Sequence, residues 1–206
     1  MTKVKICGLQ QPEHIEAAVT AGVDAVGFMF APSKRRISLQ QAKELAVIVP
    51  NGVLKIGVFV DGTLSEIREA FEQVPLDYIQ YHGDESPAFI EAVGLPSIKA
   101  LSVRSKEDIE GASAYEVDYF LFDAPGTDYK GGSGNTFDWS LMETCGIPRE
   151  KIILAGGLHA ENVHEAVRLV APFMVDVSSG VEVNGVKDIP RMQAFLTAAK
   201  EEEQKG

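Results

Sequence analysis

The chain has 206 residues, 45% of them hydrophobic and 24% charged, with a formal net charge of −11. That is enough chain to bury the core of one domain, and the wrong sign for a polyanion partner, so no nucleic-acid binding is expected. No apolar run is long enough to span a bilayer, and the opening MTKVKICGLQQPEHIEAA lacks the apolar stretch of a secretory leader, so neither a membrane partner nor export is expected.

Read in chain order, short apolar runs alternate with longer amphipathic ones. VKICG predicts a strand, and PEHIEAAVTAG a helix with proline in its first turn. AVGFMF is a strand, followed by the helix LQQAKELAVIVP behind Ser38 as N-cap. LKIGVFV leads to LSEIREAFEQV behind Thr63, YIQYHG to PAFIEAVG, and IKALSV to KEDIEGASAYEV. YFLFDA leads through a glycine-rich loop to FDWSLMETCG, KIILAGG to AENVHEAVRLV, and MVDVSSGV to IPRMQAFLTAAKEEE. The tail KEEEQKG is charged and expected to fray.

That makes about eight strand–helix pairs, the number a closed barrel requires. The strands are rich in Val, Ile and Phe, as parallel strands covered by helices are. A doubly wound open sheet would carry a Gly-rich turn after its first strand, whereas Gly8 stands alone there and the Gly-rich turns follow the last three strands. The expected fold is therefore α/β, a (βα)8 TIM barrel forming a single domain over residues 1–206.

The chemistry-bearing residues fall at strand ends. Gly156 and Gly157 end the seventh strand, and Ser178, Ser179 and Gly180 end the eighth. Small residues there let backbone N–H groups approach a ligand, and this pair of loops is a frequent phosphate site in barrels. The simpler alternative is two tight turns that need glycine. An anionic ligand on so acidic a chain needs such local donors, or an arginine. Arg35 and Arg36 in SKRRIS could clamp a carboxylate, or belong to a solvated basic loop.

Cys7 ends the first strand. Alternation places it on one face with Lys3 and Lys5, opposite Val4 and Ile6, so it points into the barrel mouth. A thiol there serves as nucleophile, base or packing. Asp123 ends the sixth strand after YFLF, where a carboxyl needs polar company, either as a catalyst or as a cap or salt bridge. Asp176 shares the inward face of the eighth strand with Ser178 and is the expected structural partner of Lys5. Cys145 lies near the end of a predicted helix and is given no role. Two cysteines are too few for a disulfide framework and lack metal-ligand spacing; His82 and Gly83 end the fourth strand in QYHGDE, and no His, Cys or carboxylate set has metal-ligand spacing. A reducing cytoplasm and no metal are expected. Gly131, Gly132 and Gly134 in the loop after Asp123 suggest a lid, with an insertion of no function as the alternative.

The ordered set KICG, DAVGFMF, SKR, GVFV, QYHG, FDA, GGSGNTFDW, LAGGL and VDVSSGVE resembles the phosphoribosylanthranilate isomerases of tryptophan biosynthesis over nearly the whole chain. The resemblance implies that Cys7 is the general base and Asp123 the general acid. It implies that Arg35 neutralises the substrate carboxylate, and that Gly156, Gly157, Ser178, Ser179 and Gly180 hold the phosphate. The chain departs from many family members by one residue fewer before SKR and by the second arginine, Arg36.

The implied reaction converts N-(5-phosphoribosyl)anthranilate to 1-(2-carboxyphenylamino)-1-deoxyribulose 5-phosphate, an Amadori rearrangement. It requires a protonated carboxyl at Asp123, some thiolate at Cys7 and no cofactor, since the substrate nitrogen is the electron sink. A monomer is expected. The alternatives are another sugar-phosphate isomerase and a non-catalytic phosphometabolite-binding barrel. The first would pair two aspartates or carry metal ligands. The second would have no reason to keep Cys7 with Asp123.

Overall fold

Side-chain alternation along eight short strands builds a barrel with two distinct apolar compartments. The computed structural model describes residues 1–125, 136–143 and 145–201. Its strands are β1 (Lys3–Cys7), β2 (Ala25–Met29), β3 (Leu54–Phe59), β4 (Tyr78–Tyr81), β5 (Ser97–Ser102), β6 (Tyr119–Asp123), β7 (Ile152–Leu154) and β8 (Met174–Val177). All are parallel, each pairs with the next, and β8 closes on β1 with Lys5 opposite Asp176.

Residues facing one way, among them Val4, Ile6, Val26, Phe28, Ile79, Tyr81 and Phe122, pack under the helices. Those facing the other way, Ala25, Ile56, Ile98, Leu121, Ile153 and Met174, fill the barrel interior. The interior is thus filled in its lower layers, and a cleft opens toward the C-terminal ends of the strands.

The helices start where the sequence supplies caps. They are α1 (Pro12–Thr20), α2 (Leu39–Ala46), α3 (Leu64–Gln73), α4 (Pro87–Val93), α5 (Lys106–Glu110), α6 (Val163–Val170) and α7 (Ile189–Lys200). Ser38 accepts from the Gln41 amide. Thr63 and Glu66 form a reciprocal capping box. Each such cap contributes about 1 kcal/mol. Gly94 ends α4 in the left-handed region, at φ 66°.

Two features depart from the sequence-based expectation. FDWSLMETCG is not a helix: Trp139–Met142 make a single 3-10 turn, opened by Asp138 accepting from the Ser140 amide. After β8 the chain makes an unpredicted hairpin, β9 (Glu182–Val183) and β10 (Val186–Lys187). Its turn is Asn184-Gly185, with φ of 51° and 81°, the pair that a tight primed hairpin turn favours. Gly131, Gly132 and Gly134, the expected lid, lie outside the described residues, as do residues 202–206 of the tail. No helix among the described residues is long and apolar enough to cross a membrane.

Candidate active site

A cleft of about 780 Å³ opens at the C-terminal ends of the strands, lined by Cys7, Arg35, Asp123, Gly156, Gly157, Ser178, Ser179 and Gly180 among others. Each residue to which the resemblance assigns a role borders this one space. Arg36 does not line it; it is exposed and turned away.

Cys7 and Asp123 are each only 5% exposed. Burial pushes the Cys7 thiol up, and Lys5, Lys187 and Arg35 oppose that without overcoming it. Burial thus works against the thiolate form that a base role calls on. The cause is desolvation, which alternation alone could not weigh. Asp123 Oδ2 lies 3.3 Å from His82 Nε2.

At the cleft floor, Lys5 Nζ donates to Asp176 Oδ2 and to Gln80 Oε1, both at 2.8 Å. Burial alone would drive the Lys5 ammonium down; Asp176 and Cys7 outweigh it and hold it above its ordinary range. The expected Lys5–Asp176 pairing is thus present. Removing one partner of such a buried pair leaves the other charge uncompensated, a loss of about 3–5 kcal/mol.

The Arg35 side chain donates from Nε to Glu182 Oε1 at 2.6 Å and from a terminal nitrogen to Oε2 at 2.9 Å. Lys187 reaches the same carboxylate at 2.8 Å and also donates to the Ser178 carbonyl at 2.9 Å. Burial would raise the Glu182 carboxyl, but Arg35 and Lys187 pull it down to about 2. The hairpin therefore ties Arg35 to the small-residue loop through Glu182 and Lys187.

The loops after β7 and β8 are packed against each other. A Cβ on Gly180 would overlap the Leu158 carbonyl oxygen, and one on Gly156 the Ala124 amide nitrogen. Gly156 and Gly157 also have φ of 85° and 63°. Glycine is thus required here by close approach and by backbone conformation together. The Ser178 hydroxyl donates to the Cys7 carbonyl at 3.2 Å, which anchors this loop to the end of β1.

Sequence reasoning did not assign Gln80, His82, Glu182 or Lys187 to the site. Alternation with Ile79 and Tyr81 could have placed Gln80 and His82 inward, and Asn184-Gly185 could have revealed the hairpin that presents the other two. Their partners come from distant strands, and no local pattern carries that information.

A family model described as N-(5'phosphoribosyl)anthranilate (PRA) isomerase matches residues 4–198. A protein of Bacillus cereus (strain G9842) named N-(5'-phosphoribosyl)anthranilate isomerase is 48% identical over 202 residues, covering 97% of this chain and 98% of that protein. The crystal structure of phosphoribosyl anthranilate isomerase from Thermotoga maritima superposes with a TM-score of 0.89 at 39% identity, over 97% of this chain and 99% of that one. A further crystal structure of that enzyme, in complex with reduced 1-(o-carboxyphenylamino)-1-deoxyribulose 5-phosphate, gives 0.84 at 37% identity with the same coverage.

Proposed function

The chain belongs to the N-(5'-phosphoribosyl)anthranilate isomerase family of tryptophan biosynthesis, and from that premise we propose that Cys7 and Asp123 carry the isomerisation as base and acid. The observation that supports the reading best is their meeting in one cleft that Arg35 and the glycine-bounded loops after β7 and β8 also line. That is the layout an anionic aromatic carboxylate joined to a sugar phosphate demands.

The steps follow from the substrate. Asp123 gives a proton to the furanose ring oxygen as the C1–O bond breaks and the anilino nitrogen lone pair forms the C1 iminium. Cys7 removes the proton from C2; the C2–H electrons form C1=C2 while the C1=N π pair returns to nitrogen. Protonation at C1 and loss of the enol proton then give the C2 ketone. The substrate nitrogen takes up and returns the electron pair, so no external redox partner enters the balance. Arg35, already oriented by Glu182, presents cationic N–H groups to the anthranilate carboxylate. The amides of Gly156, Gly157, Ser179 and Gly180, with Ser178, form the phosphate end. The protein works as a monomer in the cytoplasm in this reading.

The reaction in D2O tests the assignment. The purified chain should convert N-(5'-phosphoribosyl)anthranilate to a ketone at C2 carrying solvent deuterium at C1. Unchanged substrate, or a ketone with the original C2 hydrogen moved intact to C1, would reject the base role of an exchangeable thiol.

A further inference from the structure

One hydrogen-bonded chain runs across the floor of the cleft and ends on the acid. Gln80 is 1% exposed, on the inward face of β4, and its neighbour on that face is His82. The Lys5 ammonium, itself fully buried, can only donate, and it donates to Gln80 Oε1 at 2.8 Å. The amide orientation of Gln80 is thereby fixed, with its NH2 group on the other side. That group stands 2.9 Å from His82 Nδ1. An NH2 group cannot accept, so Nδ1 must, and the hydrogen of the neutral imidazole resides on Nε2. Nε2 is the atom 3.3 Å from Asp123 Oδ2.

The turn beyond His82 is held from several sides. Glu85 accepts from the Gly83 amide at 3.0 Å and from the Asp61 amide at 2.9 Å, and Lys99 Nζ donates to the Gly83 carbonyl at 2.7 Å and to Glu85 at 3.0 Å. Asp176, the other acceptor of Lys5, anchors the far end of the chain.

We propose that Gln80 is a positioning residue: it fixes His82 as the Nε2–H tautomer, which places the imidazole hydrogen on Asp123 Oδ2 and leaves Oδ1 to carry the proton delivered to substrate. In a protonated carboxyl the carbonyl oxygen is the better acceptor, so an N–H facing Oδ2 favours the proton on Oδ1, and the tautomer biases which oxygen is the acid. The proposal deepens the general-acid reading of Asp123 and rests on it. Gln80 touches no reacting atom; it acts through His82.

Nitrogen-15 NMR of histidine-labelled protein at a pH of about 8.5, where ordinary imidazoles are neutral, reads the tautomer directly. The His82 signal is assigned by its loss in His82→Gln. Native protein should show Nε2–H. In Gln80→Glu the new carboxylate still accepts from Lys5 but has only acceptors for the ring, so the hydrogen should move to Nδ1. There, kcat should fall at least about tenfold with KM within about threefold.

Native His82 carrying Nδ1–H overturns the proposal without any variant. So does a Gln80→Glu protein whose His82 keeps Nε2–H, whatever its rate, or one whose tautomer reverses while kcat stays at the native value. Retained turnover in Asp123→Asn would instead remove the general-acid reading and leave the tautomer result standing.

Discussion

Arg35 meets Glu182 through two parallel hydrogen bonds, 2.6 and 2.9 Å long, with only 11% and 5% of the two side chains exposed. A guanidinium held by its Nε edge is oriented before substrate arrives, and orientation in advance is what makes a charged contact contribute to affinity. Arg36, one residue on, is exposed and has no place in the cleft. Arg35→Ala should therefore raise KM at least about tenfold, roughly 1.4 kcal/mol, while Arg36→Ala leaves it near the native value. Steady-state kinetics on the two variants decide this; a larger effect at Arg36 would mean that the carboxylate is bound elsewhere.

The same carboxylate gives an acid limb to stability. Glu182 is held down to about 2, below an ordinary glutamate, so its contribution is fully present above the ordinary value of ~4.3 and is lost as pH falls from there through about 2. Denaturant midpoints measured across that window should decline in the native protein. Glu182→Gln should be less stable near neutrality and decline less steeply over the same range. Parallel curves for the two proteins would assign the acid sensitivity to other groups.

Cys7→Ser should fold normally and lose most of its turnover, since an alcohol is far too weak an acid to replace a thiol as base. Burial raises the Cys7 thiol. The limb of kcat/KM that rises with pH should then lie at or above the ordinary thiol value of ~8.5 in the native enzyme and be absent in the variant. A rising limb near neutrality that survives in Cys7→Ser would place the base elsewhere.

How much of this was legible in the sequence depends on the range of the contact. The eight strands and the inward faces of Cys7, Lys5 and Asp176 follow from alternation, which is local, and Ser38 and Thr63 mark helix starts by their own side chains. The helix expected at FDWSLMETCG failed because apolar periodicity there reflects a 3-10 turn whose Met142 is buried under the barrel wall. The Glu182–Arg35, Lys5–Gln80 and His82–Asp123 contacts join residues from different strands and loops, and only closure of the barrel brings them together. The raised Cys7 thiol was illegible for a related reason: desolvation is a property of everything packed around the group.

Inorganic phosphate should compete with substrate and sit against the loops of Gly157 and Ser178–Gly180. Gly180→Ala should abolish that competition, because a Cβ there would overlap the Leu158 carbonyl and force the two loops apart. A phosphate-soaked crystal with this place empty and the anion bound at another part of the chain would contradict the assignment.

The roles of acid and base stand or fall most directly on Asp123→Asn. Asparagine keeps the shape beside His82 and can still donate a hydrogen bond, but it cannot transfer a proton. Single-turnover kinetics on the folded variant, paired with equilibrium binding of the reduced product analogue, separate chemistry from affinity. The expected result is loss of turnover with binding within about tenfold of native, about 1.4 kcal/mol, because the contact strengthens only as the ring oxygen takes up the proton. Lost binding with normal turnover of the bound fraction would contradict it and reduce Asp123 to a structural carboxylate.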